Sequence, residues 1–311
     1  MPHTRRDFGK LALAALTVGA ARAAKIDSKF YGVQIGAITY SFNSIANPDP
    51  DAIIRAYVEI GLGEAELMSN HCEALAGAPR SPGRGANPTP EQQAARQAQL
   101  EQLRAWRTGT GPNTWKGVRK KFNDAGIDVA VLCYNMNDNM NDGDVEYGFS
   151  MAEGLGVNAI STSTTLTMAK RIAPIADRHK LLVGYHGHDA TNDPNQTATL
   201  ESYDTLMGYG KYSGVNLDIG HFTAANYDAV EFIRKHHARI SNLHVKDMTR
   251  NHGPYTPFGE GDTPMKGVLQ LLKKEKYGFP ANIELEYPIP AGSNLIAEMK
   301  KCLAYCKNCL S

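Results

Sequence analysis

Charge of one sign is in short supply. The 311 residues carry 33 Lys and Arg against 32 Asp and Glu, a formal net charge of +1. A near-neutral chain lacks the extended basic face that holds a nucleic-acid backbone, and leaves room only for a small local basic pocket. The apolar run LALAALTVGA (11–20) falls short of the ~20 residues of a membrane-spanning helix. No GxGxxG turn follows the first strand-like stretch, so the usual mark of a dinucleotide-binding open sheet is missing. Cysteine is scarce, five in all, with no evident disulfide plan. Cys302, Cys306 and Cys309 do spell CxxxCxxC, a spacing that holds an iron–sulfur cluster in radical enzymes. With Leu295 and Met299, however, they form one stripe at helical spacing, which reads as the buried face of an amphipathic helix. Free cysteine packs there as a small core residue. A disulfide within the trio stays open at this level.

What is present begins with TRRDFGK (4–10), the apolar run and then ARAAK. Paired arginines, a following Phe, and a Lys before a short apolar stretch resemble a bacterial twin-arginine export signal, with Ala21-Arg22-Ala23 as its small-x-small cleavage site. Residues 1–23 are therefore set apart from fold reasoning. Arg5, Arg6, Lys10, Arg22 and Asp7 leave with them, which takes the formal charge from +1 to −2. The expectation is a protein exported folded by the twin-arginine pathway to the periplasm, without stable membrane insertion once the signal is removed.

Residues 24–311 suit one large α/β barrel or two ordinary domains by length. Eight apolar, strand-like stretches follow one another: 31–42, 63–68, 127–135, 157–164, 181–190, 214–222, 241–248 and 281–288. Each is followed by a helical pattern. Strand–helix alternation argues for a parallel sheet, and eight units for closure into a single-domain (β/α)8 TIM barrel. A polar, Pro- and Gly-bearing insertion over 72–115 interrupts the series, as a lid over the mouth or an oligomer contact. A homo-oligomer is thereby left open.

The strands share a parity pattern. Glu64 and Glu66, His186 and His188, Asn216 and Asp218, Asn242, His244 and Lys246, and Asn282, Glu284 and Glu286 alternate with apolar neighbours. Side chains two apart share a face, so each strand has one apolar and one polar face. In a closed barrel the polar face points inward, where unpaired imidazoles and carboxylates cost several kcal/mol each. A bound cation or a water-filled mouth relieves that cost. At the C-terminal strand ends stand His186, Asp218, His244 and Glu284, two imidazoles and two carboxylates suited to one Mn²⁺, Co²⁺, Fe²⁺ or Zn²⁺ with positions left open.

The stretches GAITYSF, YHGHD, LDIGH, HVKDMTR, FGEGD and IELEY resemble the sugar isomerase/epimerase proteins of the xylose-isomerase-like barrel superfamily, across essentially all of the mature chain. In such proteins a Glu, an Asp, a His and a second Glu from strands five to eight bind one divalent cation. The resemblance carries directly to Asp218, His244 and Glu284. It implies substrate-hydroxyl contacts for His221 and Arg250, and a strand-two substrate contact for Glu66. This chain departs from the pattern at strand five, where His186 stands in the place of the Glu and His188 faces the substrate. Glu284 is preferred to Glu286, with a slip of two residues open. Lys246 is read as a substrate contact or as one half of a strand-end ion pair.

The implied chemistry is proton abstraction next to a carbonyl on a metal-chelated sugar, through an enediolate, with Glu284, Glu66 or His188 as base. Reprotonation gives isomerisation or epimerisation, and loss of a β-oxygen gives elimination from a 3-keto-glycoside. The expected partner is thus a small sugar or keto-glycoside. A DNA-repair endonuclease on the same barrel would need a basic groove and more ligands. A non-catalytic sugar-binding barrel is the other rival.

Overall fold

The computed structural model describes residues 23–80 and 89–311. Apart from Ala23, the expected export signal lies outside the described residues, as does part of the 72–115 insertion.

Eight parallel strands close into a barrel: β1 (Val33–Ile38), β2 (Glu64–Met68), β3 (Asp128–Cys133), β4 (Ala159–Thr162), β5 (Leu182–His186), β6 (Ser213–Asp218), β7 (Ile240–Val245) and β8 (Ala281–Ile283). Each pairs with its neighbours in sequence, and β8 returns to β1 through Asn282 opposite Gly36. A two-residue strand, Lys29–Phe30, lies antiparallel on β1. A small hairpin after β7 pairs Asp247–Met248 with Tyr255–Thr256.

Helices cross between the strands: α1 (Asp51–Ile60), α2 (Ser69–Leu75), α3 (Pro90–Thr108), α4 (Pro112–Asp124), α5 (Asp142–Leu155), α6 (Leu166–His179), α7 (Leu200–Met207), α8 (Ile219–Ala224), α9 (Ala229–His236), α10 (Met265–Glu275) and α11 (Leu295–Leu310). Their starts follow side-chain chemistry. Thr165, Asp228 and Asn294 each accept a first-turn backbone N–H at the head of α6, α9 and α11. The helices bury their apolar stripes against the outward faces of the strands, where Ile35, Leu67, Val129, Leu217, Leu243 and Ile283 sit in one continuous core. This is the (β/α)8 barrel expected from the strand–helix alternation.

Three local differences have clear causes. The sixth strand stops at Asp218 rather than running to Phe222, because the Asp218 carboxylate accepts the His221 backbone N–H and starts α8. The eighth strand leaves its ladder after Ile283, so Glu284 and Glu286 extend beyond the sheet. The insertion supplies α3, whose one buried residue is Leu103, and the Arg107–Glu73 ion pair ties this helix to α2. Along α11, Met299, Cys302, Cys306 and Cys309 are buried as the stripe requires, and the cysteines are free. Among the described residues no helix is long and apolar enough to cross a membrane.

Candidate metal centre and cavity

The barrel interior is polar, and one carboxylate organises it. Glu66 on β2 is fully buried. It accepts hydrogen bonds from Ser161, from Asn242 Nδ2 at 2.7 Å and from Asn282 Nδ2 at 3.0 Å, and its Oε2 lies 2.8 Å from His244 Nε2. Inward-facing Asn on β7 and β8 is thus explained: each amide satisfies a charge that would otherwise be stranded.

Above this knot, one ligand atom each from His186, Asp218, His244 and Glu284 lie within 4.8 Å of one another. Adjacent strands place them, since Asp218 and His244 are register partners and His186 ends β5. The histidines are oriented from behind. His186 Nδ1 is 2.9 Å from Asn216 Oδ1, which leaves Nε2 directed at the cluster. His244 Nε2 is held by Glu66, which leaves Nδ1 directed at Glu284 Oε2, 2.8 Å away. An imidazole whose far nitrogen is fixed in this way is oriented as metal-bound histidines are.

Asp218 Oδ2 is buried without a hydrogen-bond partner. Lys246 Nζ lies 2.9 Å from it as an ion pair, outside hydrogen-bonding geometry. The same ammonium is 2.7 Å from Glu284 Oε2 and bonded to Glu286. An orphaned carboxylate oxygen beside two aligned imidazole nitrogens and a second carboxylate is a donor set that fits a divalent cation.

The charges are compensated within the cluster. Burial would lower the His244 pKa, but the Glu284 and Glu66 carboxylates outweigh it and hold the ring well above the ordinary histidine range. Burial would likewise raise Glu284, yet His244 and Lys246 pull it well below the usual carboxylate range. His186 goes the other way: burial first, then His244 and His188, keep it neutral. For His244 to serve as a ligand, Nδ1 gives up its proton.

A cavity of about 340 Å³ opens over the cluster. His186, His188, His221, His244, Glu284 and Glu286 form one wall, with Tyr255 beside them; Ile38, Tyr40, Met68, Cys133, Asn135, Ser161 and Ser163 form the other. Burial, with His221 next to it, depresses the His188 pKa to about 4, so this ring is neutral at neutral pH. His221 Nδ1 sits 3.1 Å from Asp189 Oδ1, and the other oxygen of Asp189 is 3.0 Å from His252 Nδ1.

Of the residues singled out in the sequence, His186, Asp218, His244 and Glu284 come together, and His188 and His221 line the cavity. Glu66, expected to touch substrate or act as base, is instead sealed beneath the cluster by its own partners. Arg250 is exposed and lies away from the cavity lining; its backbone N–H is bonded to Asp262. Lys246 is buried among the carboxylates of Asp218, Glu284 and Glu286, with its ammonium 5.4 Å from the Tyr255 ring centroid. Sequence reasoning missed Asp189, Tyr40 and Tyr255. Asp189 follows the HGH run directly, and its acidity there was the available signal.

Residues 164–308 match the family described as xylose isomerase-like TIM barrel. An inosose dehydratase of Salmonella typhimurium is 27% identical over 134 residues, 37% of this chain and 43% of that protein, so the match spans less than half of the relative's length. Among solved structures, D-psicose 3-epimerase from Clostridium cellulolyticum H10 superposes with a TM-score of 0.62 at 11% identity, covering 90% of this chain and 100% of that one. The 3-keto-D-glucoside 4-epimerase of E. coli gives 0.60 at 12% identity, covering 89% and 99%. The chain shares the TIM-barrel fold of these structures, and residues 164–308, which hold all four clustered donors, match the xylose isomerase-like family.

Proposed function

We propose that the chain is an enzyme that removes a proton next to the carbonyl of a sugar or related polyhydroxylated ketone, aided by one divalent cation on His186, Asp218, His244 and Glu284. The observation that carries this reading is Asp218 Oδ2, buried without a hydrogen bond beside Lys246 and facing two imidazole nitrogens aligned from behind by Asn216 and Glu66. A bound Mn²⁺, Co²⁺, Fe²⁺ or Zn²⁺ would supply Lewis-acid polarisation of neighbouring carbonyl and hydroxyl oxygens.

The chain's own residues supply the proton transfer. His188 lines the cavity as a neutral ring, and its nitrogens have no hydrogen-bond partner among the described residues, so it accepts the substrate proton. Glu284 is engaged by His244 and Lys246 and keeps the ligand role. His221, steadied by Asp189, presents its other nitrogen to substrate hydroxyls. Returning the proton to carbon gives isomerisation or epimerisation, as the resemblance to epimerases supports.

Elimination is a second reading, favoured by the uneven distribution of groups along the polar wall. The carboxylates cluster on one side with Lys246, while His188 and His221 stand together, their ring centroids 5.1 Å apart. That pair suits one base at carbon and one acid at a departing β-oxygen better than two symmetric carboxylates would. The partial likeness to inosose dehydratase supports it. The twin-arginine-like start supports export, hence an unphosphorylated glycoside or keto-sugar as substrate.

The test is incubation of Mn²⁺- or Co²⁺-loaded protein with free ketoses, 3-keto-glucosides and an inosose in deuterated water. Solvent deuterium in an isomerised sugar supports epimerase chemistry; an unsaturated product supports elimination. Sugar binding without exchange or turnover, in metal-loaded protein, would overturn the enzyme reading in favour of a binding barrel.

A further inference from the structure

His186 belongs to two groups of donors. Besides the four-residue set, a ring nitrogen of His186 lies within 4.8 Å of one atom each from His188 and His221, whose own atoms lie within the same limit of each other. The rings meet edge to face along one cavity wall, with centroids 4.7 Å apart for His186 and His188 and 5.1 Å for His188 and His221. This second group has what the first has. His221 Nδ1 is fixed by Asp189, as His244 is fixed by Glu66, so Nε2 is the free nitrogen. His188 has both nitrogens free of hydrogen bonds to described residues. Zinc–imidazole bonds are ~2.0–2.1 Å long, so an ion held by all three rings would draw their nitrogens inward from their present separations.

We propose that the cavity carries a second cation site, made of the three imidazoles of His186, His188 and His221, overlapping the four-residue site through His186. His186 Nδ1 is committed to Asn216 Oδ1, so Nε2 is its one available donor and serves one ion at a time. The two sites are alternatives, and ion chemistry selects between them. Three imidazoles and no carboxylate favour a nitrogen-seeking ion such as Zn²⁺. Two carboxylates and two imidazoles favour a harder one such as Mn²⁺. The three-imidazole site takes His188, the proposed base, and His221, the proposed hydroxyl contact, so zinc bound there would inhibit. The overlap rests on the four-residue set described above; the three-imidazole site does not.

The experiment is metal-binding calorimetry and elemental analysis on untagged protein, with Zn²⁺ alone, Mn²⁺ alone and the two in competition. The expected result is one equivalent of either ion at saturation, with Zn²⁺ displacing Mn²⁺. Asp218→Asn keeps the oxygen that caps α8, and should weaken Mn²⁺ by more than ~100-fold while leaving Zn²⁺ within about threefold. His188→Gln and His221→Gln should each weaken Zn²⁺ by more than ~10-fold and leave Mn²⁺ within about threefold. His186→Gln should weaken both, with circular dichroism and melting curves establishing that each variant is folded. Zn²⁺ affinity that follows Asp218 and ignores His188 and His221 overturns the proposal alone. Unchanged Mn²⁺ affinity in Asp218→Asn overturns the four-residue ligand set, and the overlap with it.

Discussion

Oε2 of Glu66 and Nε2 of His244 lie 2.8 Å apart in the closed interior of the barrel, and this pairing sets which nitrogen His244 turns toward the cavity. Glu66→Gln keeps the volume but replaces one acceptor with a donor. Divalent-cation affinity measured by calorimetry should fall by ~10–100-fold, the usual cost of losing such a supporting carboxylate. Unchanged affinity in a folded variant would remove Glu66 from the support of the site.

Asp218→Ala and His244→Ala should each abolish Mn²⁺ binding, measured by elemental analysis after dialysis. His188→Ala should retain Mn²⁺ and lose ~10²–10⁴-fold in kcat on any substrate found to turn over. Full turnover by His188→Ala would assign the base elsewhere, with Glu286 on the same wall the next group to test.

Glu64 lies buried deeper in the barrel with both carboxylate oxygens lacking partners, and Asn282 Oδ1 is unpartnered too. A Cβ on Gly36 would stand 2.1 Å from Glu64 Oε2 and 2.6 Å from that Asn282 oxygen, so the two acceptors are neighbours. Burial, then the Glu66 charge, raises the Glu64 pKa well above the ordinary value, and the acid stays protonated. The folded state therefore binds a proton that the unfolded state releases above pH ~4.5, and stability falls as pH rises beyond that point. Glu64→Gln should be more stable than the parent at pH 8 by ~1–3 kcal/mol in urea melts, with the gap closing toward pH 4. Gly36→Ala should destabilise, because the added methyl collides with these oxygens.

His179 closes α6 between Glu153 (2.6 Å) and Glu146 (2.7 Å) and stacks on Phe149. Burial opposes its charge, but the two carboxylates outweigh burial and raise its pKa. A histidine with a raised folded pKa contributes stability that is full below ~6.5 and lost as pH climbs through the folded value. His179→Gln should therefore lose more stability at pH 5.5 than at pH 9. Equal losses at both pH values would show that the ring acts through packing alone.

The barrel was legible because strand–helix alternation and the parity of polar residues are both local patterns. Parity put Asp218, His244 and Glu284 on one face, and the HGH run did the same for His186 and His188. Glu66 was harder to read. Its inward direction follows from parity, but its depth depends on how far along β2 the ring of asparagines stands, which only the closed register reveals. Arg250 lies past the end of β7, beyond the reach of the strand parity, as an exposed residue with its backbone N–H bonded to Asp262. The end of the sixth strand was lost to a capping interaction that a strand-like run of residues conceals.

The four donors come from β5, β6, β7 and the end of β8, four adjoining strands on one side of the ring. The facing side of the cavity, from Ile38 and Met68 to Asn135 and Ser163, carries none of them. On the proposed reading, the cation is held from one half of the ring alone. Side chains on the far half can be exchanged to admit a bulkier or more polar guest without disturbing a single donor atom, which makes that half the place to redirect what the barrel accepts.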